Sequence, residues 1–414
     1  MTDGRGARGF DPGPVLPADV VEHARTAGSL DGEWIWIALT VFAIACLVFW
    51  FWLRQRKVKK SILLVGVVVF ALLAGLAGLN SYVGYIRTPH DLGMVLARGP
   101  SFIAPLGRMI VDDTNGGDQD DPGARGAKAL KFARSARAGG DQPRLVRIPL
   151  PDPGLTPGAG STNVLLPPGY DDPANANRRY PVVYLIHGYP GGTSDDWFTA
   201  GDAVGTMNQL YSHHLVRPMI LVGADMTAGD TGTDWECLNV PHGPRLESYL
   251  TEHVVGQIDH RFRTLADRGD RAIGGMSGGG FCALNVGLRH LPEFATMLIT
   301  LPYDTLGTDA SLLGGDKALA AANDPRAYIP RMRFTQPIAA MIDAGMGSRV
   351  DVQVAKRLAR SLLARGQRVA LREEPGMNHT WNTARAALPF LIAFADQQFP
   401  RTTDVQQVGV PGRH

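Results

Sequence analysis

Two long apolar runs near the beginning of the chain restrict what it can fold into. Residues 34–53 are almost entirely apolar or aromatic, and a second apolar run covers residues 62–79. About 20 such residues in a helix are enough to cross the roughly 30 Å hydrocarbon core of a bilayer. We therefore predict a transmembrane helical hairpin over residues 34–86, with spans at about 34–53 and 62–82, in preference to two buried core helices.

The charges around these runs predict their orientation. The short loop at 54–60 carries five Lys or Arg residues, whereas the first 33 residues carry three together with several acids. Because basic loops stay in the cytoplasm, residues 88–414 are expected on the extracytoplasmic side. A cleaved signal peptide is disfavoured, since the first run is too long and follows about 30 polar residues. The predicted location is the cell membrane, multi-pass with two spans.

The segments outside the main domain are mostly polar. Residues 1–33 form a polar N-terminal segment, and residues 401–414 are expected to be a flexible tail. Residues 87–143 are predicted to be a juxtamembrane linker that is partly disordered, because the stretch 112–122 is rich in Asp and Gly. That stretch lacks the residue spacing of a calcium-binding loop. Residues 127–138 form either a basic amphipathic helix at a lipid surface or a plain solvated helix.

Residues 144–400 have the pattern of an α/β domain. Short apolar segments alternate with helix-like segments, which is typical of a mainly parallel twisted sheet with helices on both faces. The chain of 414 residues is 45% hydrophobic, so it can bury a large core, and its net charge of +2 does not favour nucleic acid as a partner. The predicted strands are Leu145–Pro149, Asn163–Leu166, Val182–Ile186, Met219–Ala224, Ala272–Gly275, Thr296–Thr300, Ile338–Ile342 and Val369–Glu373.

Ser277 lies in a glycine-rich turn between a predicted strand and a predicted helix. The run from Gly275 to Gly279 reads Gly-Met-Ser-Gly-Gly. It has the pattern of a nucleophile elbow, in which a serine sits on a strained turn and its neighbours are small enough for the backbone to pack closely. We predict that Ser277 is a catalytic nucleophile.

A glycine-rich loop after the third predicted strand supplies candidates for an oxyanion hole. It reads His-Gly-Tyr-Pro-Gly-Gly over residues 187–192. Pro190 has no N–H group to donate. The backbone N–H groups of Tyr189 and Gly278 are therefore the predicted oxyanion donors. We expect His187 to support the loop by hydrogen bonding rather than to act as a base.

His379 is the predicted general base. It follows the last predicted strand and precedes the closing helix, where the imidazole of a hydrolase triad is expected. No His-Glu-x-x-His motif or Cys/His cluster is present, so no metal and no cofactor is expected. Other histidines are weaker candidates for the base, because they lie on segments predicted to be helical or connecting: His213, His214, His253 and His260.

Two aspartates compete for the third position of the triad. Asp351 opens a predicted helix and can also be explained as a helix N-cap, whereas Asp343 ends a strand and can be explained as a turn residue. We favour Asp351. Glu373 and Glu374 are closer to His379 in sequence, but we expect them to face solvent.

The three cysteines form no obvious framework. Cys46 lies in the first apolar run, and Cys237 and Cys282 either pair or stay free. Their spacing does not decide between the two possibilities.

Residues 145–400 resemble the esterase D and feruloyl-esterase branch of the α/β-hydrolases, which also contains the secreted mycobacterial mycolyltransferases. The resemblance implies an α/β-hydrolase fold with Ser277 as nucleophile, His379 as base, and Tyr189 and Gly278 as oxyanion donors. The position of the acid departs from the family pattern, since Ser348 and Arg349 follow Gly345 where an acid is common. The segments that carry the resemblance are residues 180–188, Asp196-Trp197, Asp234-Trp235, residues 247–252, residues 275–279 and residues 379–381.

These features together predict a membrane-anchored extracytoplasmic serine esterase or acyltransferase. The expected substrates are lipid or glycolipid esters of the cell envelope, attacked through a Ser-His-Asp triad and an acyl-enzyme. A non-catalytic protein that binds carbohydrate or matrix on a hydrolase scaffold is the alternative. The acyl chain, the acceptor (water or an alcohol) and the oligomeric state are left open.

Overall fold

A computed structural model describes residues 9–53, 57–98, 142–158 and 160–401. The predicted acidic stretch at 112–122, the predicted helix at 127–138 and most of the predicted tail lie outside the described residues.

The two apolar runs form two long helices, α2 (Glu33–Trp52) and α3 (Lys57–Val83), after a short helix α1 (Ala18–Arg25). Only 6% of each apolar window is buried, so neither is the core helix of a globular domain, and both are long and apolar enough to cross a membrane. The two helices pack side by side, with the rings of Phe42 and Phe70 stacked at 5.6 Å. A short helix, α4 (Pro89–Arg98), follows them.

Eight strands form one mixed sheet in the order β1-β2-β4-β3-β5-β6-β7-β8. β2 runs antiparallel to β1 and β4, and all other neighbours are parallel. Each predicted strand overlaps an observed one, which confirms the predicted fold class. The strands are β1 (Arg144–Pro149), β2 (Ser161–Leu166), β3 (Val182–Ile186), β4 (Ile220–Ala224), β5 (Arg271–Met276), β6 (Thr296–Thr300), β7 (Ala339–Gly345) and β8 (Arg368–Glu374).

Helices cover both faces of the sheet, and for this reason its central strands are apolar at successive positions. On β3, Tyr184 and Ile186 pack into one core while Val183 and Leu185 pack into the other. The longer helices of the domain are α5 (Ala203–Ser212), α6 (Leu246–Ser248, a π-helical turn at Tyr249–Val254, then Val255–Arg261), α7 (Gly278–Arg289), α8 (Arg349–Ala364) and α9 (Trp381–Gln398).

Short helices build the covering segments above the sheet. One segment follows β6 and carries a 3₁₀ helix at Gly307–Leu313 and helices at Lys317–Ala322 and Pro325–Tyr328. The remaining 3₁₀ helices of the described residues are Pro173–Asn175, Arg268–Asp270 and Ile329–Arg331.

The N-terminal segment docks onto the α/β domain, although its polar composition predicts a separate segment. Val20 on α1 is buried against α9 and α5. The backbone N–H of Asp11 donates to the carbonyl of Val369 at 2.7 Å and covers the exposed edge of β8.

This docking overturns the expectation that Glu374 faces solvent. The Glu374 side chain is fully buried and forms ion pairs with Arg25 and Arg372. Arg25 comes from the docked N-terminal segment, so the pairing partner lies far from Glu374 in sequence. Glu373 is half-buried and pairs with Lys356 at 2.7 Å.

Arg385 on α9 joins the domain to the ends of the apolar hairpin. Its guanidinium donates to the carbonyl of Gly84 at 3.3 Å and to the carboxylate of Asp31 at 3.3 Å. Nearby, Asn382 donates to the carbonyl oxygens of Ser81 and Tyr82 at 3.1 and 3.0 Å. The beginning of α2 and the end of α3 therefore lie on the same side of the hairpin, against the α/β domain.

Candidate active site

Ser277 occupies the sharp turn between β5 and α7. Its backbone lies at φ 55° and ψ −119°, a conformation that is strained for a residue with a side chain. The turn is held by a hydrogen bond from the Ser277 N–H to the carbonyl of Thr300 at 3.1 Å. Only glycine fits two residues before and two residues after Ser277. A Cβ at Gly275 would lie 2.1 Å from the carbonyl oxygen of Gly279, and one at Gly279 would lie 2.3 Å from the carbonyl oxygen of His187.

His379 reaches this serine from the loop between β8 and α9. Its Nε2 lies 2.8 Å from Ser277 Oγ. The loop is tied to the end of β7, since the Gly347 N–H donates to the carbonyl of Met377 at 2.7 Å. The imidazole is 38% exposed, so a substrate can approach it.

Asp351, and not Asp343, lies beside this imidazole. Asp351 Oδ2 is 2.8 Å from His379 Nδ1, and the carboxylate is only 10% exposed. Ser348, not Asp351, caps helix α8, because its hydroxyl accepts from the Asp351 N–H at 3.3 Å. The Asp351 carboxylate is therefore left to meet His379.

Asp343 is hydrogen-bonded to other residues than His379. It is fully buried at the end of β7, where Arg372 donates to it at 2.7 Å and the Thr300 hydroxyl donates at 3.2 Å. Burial raises the pKa of Asp343 to about 6, and the nearby Arg372 acts in the opposite direction.

The loop after β3 approaches the serine from the other side. A Cβ at Gly188 would lie 3.7 Å from the Cβ of Ser277, so the loop that carries Tyr189 lies beside this serine. The Gly278 N–H belongs to the first turn of α7, where backbone donors have no acceptor within the helix. His187 Nε2 accepts from the Met226 N–H at 3.1 Å, in keeping with a supporting role for His187.

Of the four histidines that the sequence makes weaker candidates than His379 for the base, His213 and His253 form pairs with aspartates. His213 lies 2.8 Å from Asp19, and His253 lies 3.2 Å from Asp152. Neither pair involves the residues around Ser277.

An acidic cluster beside Gly278 was missed by the sequence reasoning. It consists of Asp234, Glu236 and Asp309, whose carboxylate oxygens lie within 4.8 Å of one another. Burial raises the pKa of Asp234 to about 7, and burial together with Asp234 raises the pKa of Glu236 well above its usual value. The sequence pointed to this cluster only through the Asp234-Trp235 pair, which is one of the segments that carry the family resemblance.

A disulfide links this cluster to helix α7, which follows Ser277. Cys237, next to Glu236, is bonded to Cys282 on α7 with an S–S distance of 2.01 Å. The structure thus decides a pairing that the sequence left open. Cys46 on α2 is a free cysteine.

Comparison with known proteins agrees with this architecture. A family model described as "Putative esterase" matches residues 158–385. Over 166 residues the chain is 31% identical to an uncharacterised protein of Corynebacterium glutamicum, covering 39% of this chain and 38% of the relative. Over 144 residues it is 35% identical to an esterase of Mycobacterium tuberculosis, covering 34% of this chain and 28% of that protein. The matches therefore span less than two fifths of the length of these relatives.

Solved structures show the same fold. A ferulic acid esterase superposes with a TM-score of 0.54 at 21% identity, covering 63% of this chain and 99% of that one. An S-formylglutathione hydrolase from Agrobacterium tumefaciens gives a TM-score of 0.51 at 17% identity, covering 64% and 98%. Since the family model covers more than half of the chain, the protein belongs to this putative esterase family and has the α/β-hydrolase fold.

Proposed function

We propose that this protein is a membrane-anchored serine esterase or acyltransferase that acts on lipid or glycolipid esters at the outer face of the cell membrane. The observation that carries the proposal is the continuous chain of contacts from Asp351 through His379 to Ser277, with both hydrogen-bond distances at 2.8 Å. This is the arrangement by which a carboxylate orients an imidazole and the imidazole activates a serine.

The proposed mechanism follows from these contacts. His379 Nε2 takes the proton of Ser277 Oγ while the oxygen attacks the ester carbonyl carbon. Asp351 holds the imidazole with its Nδ1–H towards the carboxylate and stabilises the positive charge that forms. The N–H groups of Tyr189 and Gly278 receive the developing oxyanion, and each donor of this kind contributes about 3 to 4 kcal/mol.

The second half of the reaction returns the enzyme to its starting state. The C–O bond to the leaving alcohol breaks, and His379 gives that alcohol its proton. Water or a sugar or lipid hydroxyl then attacks the acyl-enzyme as His379 again takes a proton, and Ser277 leaves as the free hydroxyl. Water makes the protein an esterase, and a hydroxyl acceptor makes it an acyltransferase.

Three observations support the membrane location. Helices α2 and α3 expose their apolar side chains, with 6% of each apolar window buried. The segment between them in the sequence, residues 54–60, carries five Lys or Arg residues, which favours a cytoplasmic location for that segment. The disulfide between Cys237 and Cys282 suits an oxidising, extracytoplasmic compartment.

An open groove supports a substrate that comes from the membrane. It has a volume of about 670 Å³ and lies between the hairpin and the loop that carries His379. Aromatic residues such as Trp and Tyr favour the membrane–water interface. The groove is lined from the hairpin side by Trp36, Gly78 and Tyr82, and from the loop side by Met377, Asn378 and Thr380.

Labelling of the full-length protein in detergent with a fluorophosphonate probe tests the proposal. Wild type is expected to be labelled, and the Ser277→Ala and His379→Ala variants are expected to lose labelling. His253→Ala is a matched control, because His253 pairs with Asp152 instead of with the serine. A folded wild-type protein that is not labelled would contradict the proposed triad.

A further inference from the structure

Three carboxyl groups outside the proposed triad lie beside the start of helix α7. Asp234, Glu236 and Asp309 each place a carboxylate oxygen within 4.8 Å of the others. Asp234 lies directly against Gly278, since a Cβ at Gly278 would be 3.1 and 3.2 Å from its two carboxylate oxygens. Because the Gly278 N–H is a proposed oxyanion donor, the cluster adjoins the position of the ester carbonyl.

One carboxylate oxygen of this cluster lacks a hydrogen-bond donor among the described residues. Glu236 is only 3% exposed. The Tyr303 hydroxyl donates to its Oε1, but its buried Oε2 has no hydrogen-bond partner among the described residues. A buried carboxylate oxygen is unfavourable unless a donor meets it.

No protein cation neutralises the cluster within the described part of the chain. The charged groups that act on Asp234 and Glu236 are the other acids of the cluster, and no Lys, Arg or His is among them. Mutual repulsion and burial therefore leave this group of acids ready to accept either protons or an external cation.

Space for a ligand lies next to the same acids. A small pocket opens between the loop after β3 and the cluster. Its lining includes Tyr189, Thr231, Asp234, Glu236 and Gly278. The pocket thus connects the proposed oxyanion site to Asp234 and Glu236, and Asp309 lies behind them in the cluster.

We propose that Asp234, Glu236 and Asp309 bind a protonated amine carried by the acyl group of the ester substrate. The inference rests on the proposed esterase function and names the substrate class as esters with a cationic acyl group. An ammonium group has three N–H donors, which can meet three carboxylates that lie this close together. An amine on the carbon next to the carbonyl lies within reach of Asp234 when the carbonyl oxygen is held by Gly278.

A pair of matched p-nitrophenyl esters tests this inference. The L-alanyl and isobutyryl esters differ only by an ammonium in place of a methyl group at pH 6, where an α-amine is protonated. Each kcat/KM of the full-length protein in detergent is divided by the uncatalysed hydrolysis rate of the same ester, because the ammonium also activates the carbonyl. The wild type is expected to prefer the alanyl ester by about tenfold or more.

The variants Glu236→Gln and Asp309→Asn are expected to lower this preference by about tenfold each. Asp267→Asn, which removes an exposed carboxylate elsewhere, is the control and should keep the wild-type preference. The preference is a ratio measured on one preparation, so partial misfolding of a variant does not change it.

The outcomes separate the two proposals. A wild type whose Ser277 is labelled by fluorophosphonate but which shows no preference, or no turnover of the alanyl ester, overturns the amine site and leaves the triad intact. Loss of both labelling and turnover means that the proposed function itself fails, and the amine site with it. Saturable Ca²⁺ binding that disappears in Asp309→Asn, with an unchanged ester preference, would assign the cluster to a metal and also overturn the inference.

Discussion

Tyr85 donates a hydrogen bond from its hydroxyl to Asp196 Oδ1 at 2.9 Å. Tyr85 follows the second apolar helix, whereas Asp196 precedes Trp197, whose indole N–H donates to the carbonyl of Ile186 at 2.8 Å. The Trp197 ring also lies 5.3 Å from that of Trp381, two residues after His379. The segment that follows the hairpin therefore contacts the side chains that support both loops of the candidate active site.

We expect Tyr85→Phe to lower the free energy of unfolding by about 1 kcal/mol, because it removes one hydrogen bond between the hairpin and the domain. For an α/β domain the size of residues 144–400, the thermal midpoint falls by about 2 °C. Differential scanning fluorimetry in detergent measures the change. Tyr82→Phe is the control, since that side chain is exposed at the end of the same helix. Equal shifts for both variants would show that the Tyr85–Asp196 contact adds nothing.

The two aspartates near the end of β7 are expected to differ sharply in their effect on catalysis. Asp351→Asn should lower kcat for a soluble ester by about 10³- to 10⁴-fold, because an amide no longer holds the imidazole in the productive orientation. Asp343→Asn should leave kcat per folded molecule close to wild type, since Asp343 contacts Arg372 and Thr300 instead. Steady-state kinetics on both proteins checks this. Comparable losses in both variants would contradict the assignment of Asp351.

The strands and the turn at Ser277 could be predicted from local sequence because their causes are local. A strand buried on both faces is a short apolar run, and the elbow needs glycine at fixed positions beside the serine. His379 was predicted from its place after the last strand, and the structure brings it to within 2.8 Å of Ser277 Oγ. The position of Asp351 was harder to predict, because an acid in the first turn of a helix has an ordinary capping explanation.

Features that depend on distant parts of the chain were not predictable in this way. Glu374 is buried because Arg25 and the residues around Asp11 dock on β8. The acidic cluster forms because the covering segment after β6 brings Asp309 to Asp234. No local period or motif links these pairs, since their contacts exist only after the sheet has assembled.

The orientation of the hairpin can be measured with single-cysteine variants in a Cys46→Ala background. Lys317→Cys lies on an exposed helix of the domain, and Lys59→Cys lies in the basic segment 54–60, in the first turn of α3. A membrane-impermeant maleimide added to intact cells is expected to label Lys317→Cys only, because the proposed topology places the basic segment in the cytoplasm. Both variants should react after permeabilisation. Labelling of Lys59→Cys in intact cells would reverse the proposed topology.

The buried acid Asp234 is expected to make stability depend on pH. Burial raises its pKa from 3.8 to about 7, so the folded state favours the protonated carboxyl. A group whose folded pKa is raised contributes stability that is fully present below its unfolded pKa and is lost as the pH rises through its folded pKa. Between pH 4 and pH 7, wild type should therefore lose about 4 kcal/mol relative to Asp234→Asn, since each pKa unit corresponds to about 1.4 kcal/mol.

Chemical denaturation of both proteins across this range, in the absence of amines, measures the difference. Asp267→Asn serves as the control. Because the Asp267 carboxyl is exposed, the free energy of unfolding of this variant should depend on pH in the same way as that of wild type. If the free energy of unfolding of Asp234→Asn also follows the pH dependence of wild type, Asp234 ionises in the folded protein as readily as in the unfolded chain. The acidic cluster would then lack the burial and mutual repulsion that make it a site for an external cation.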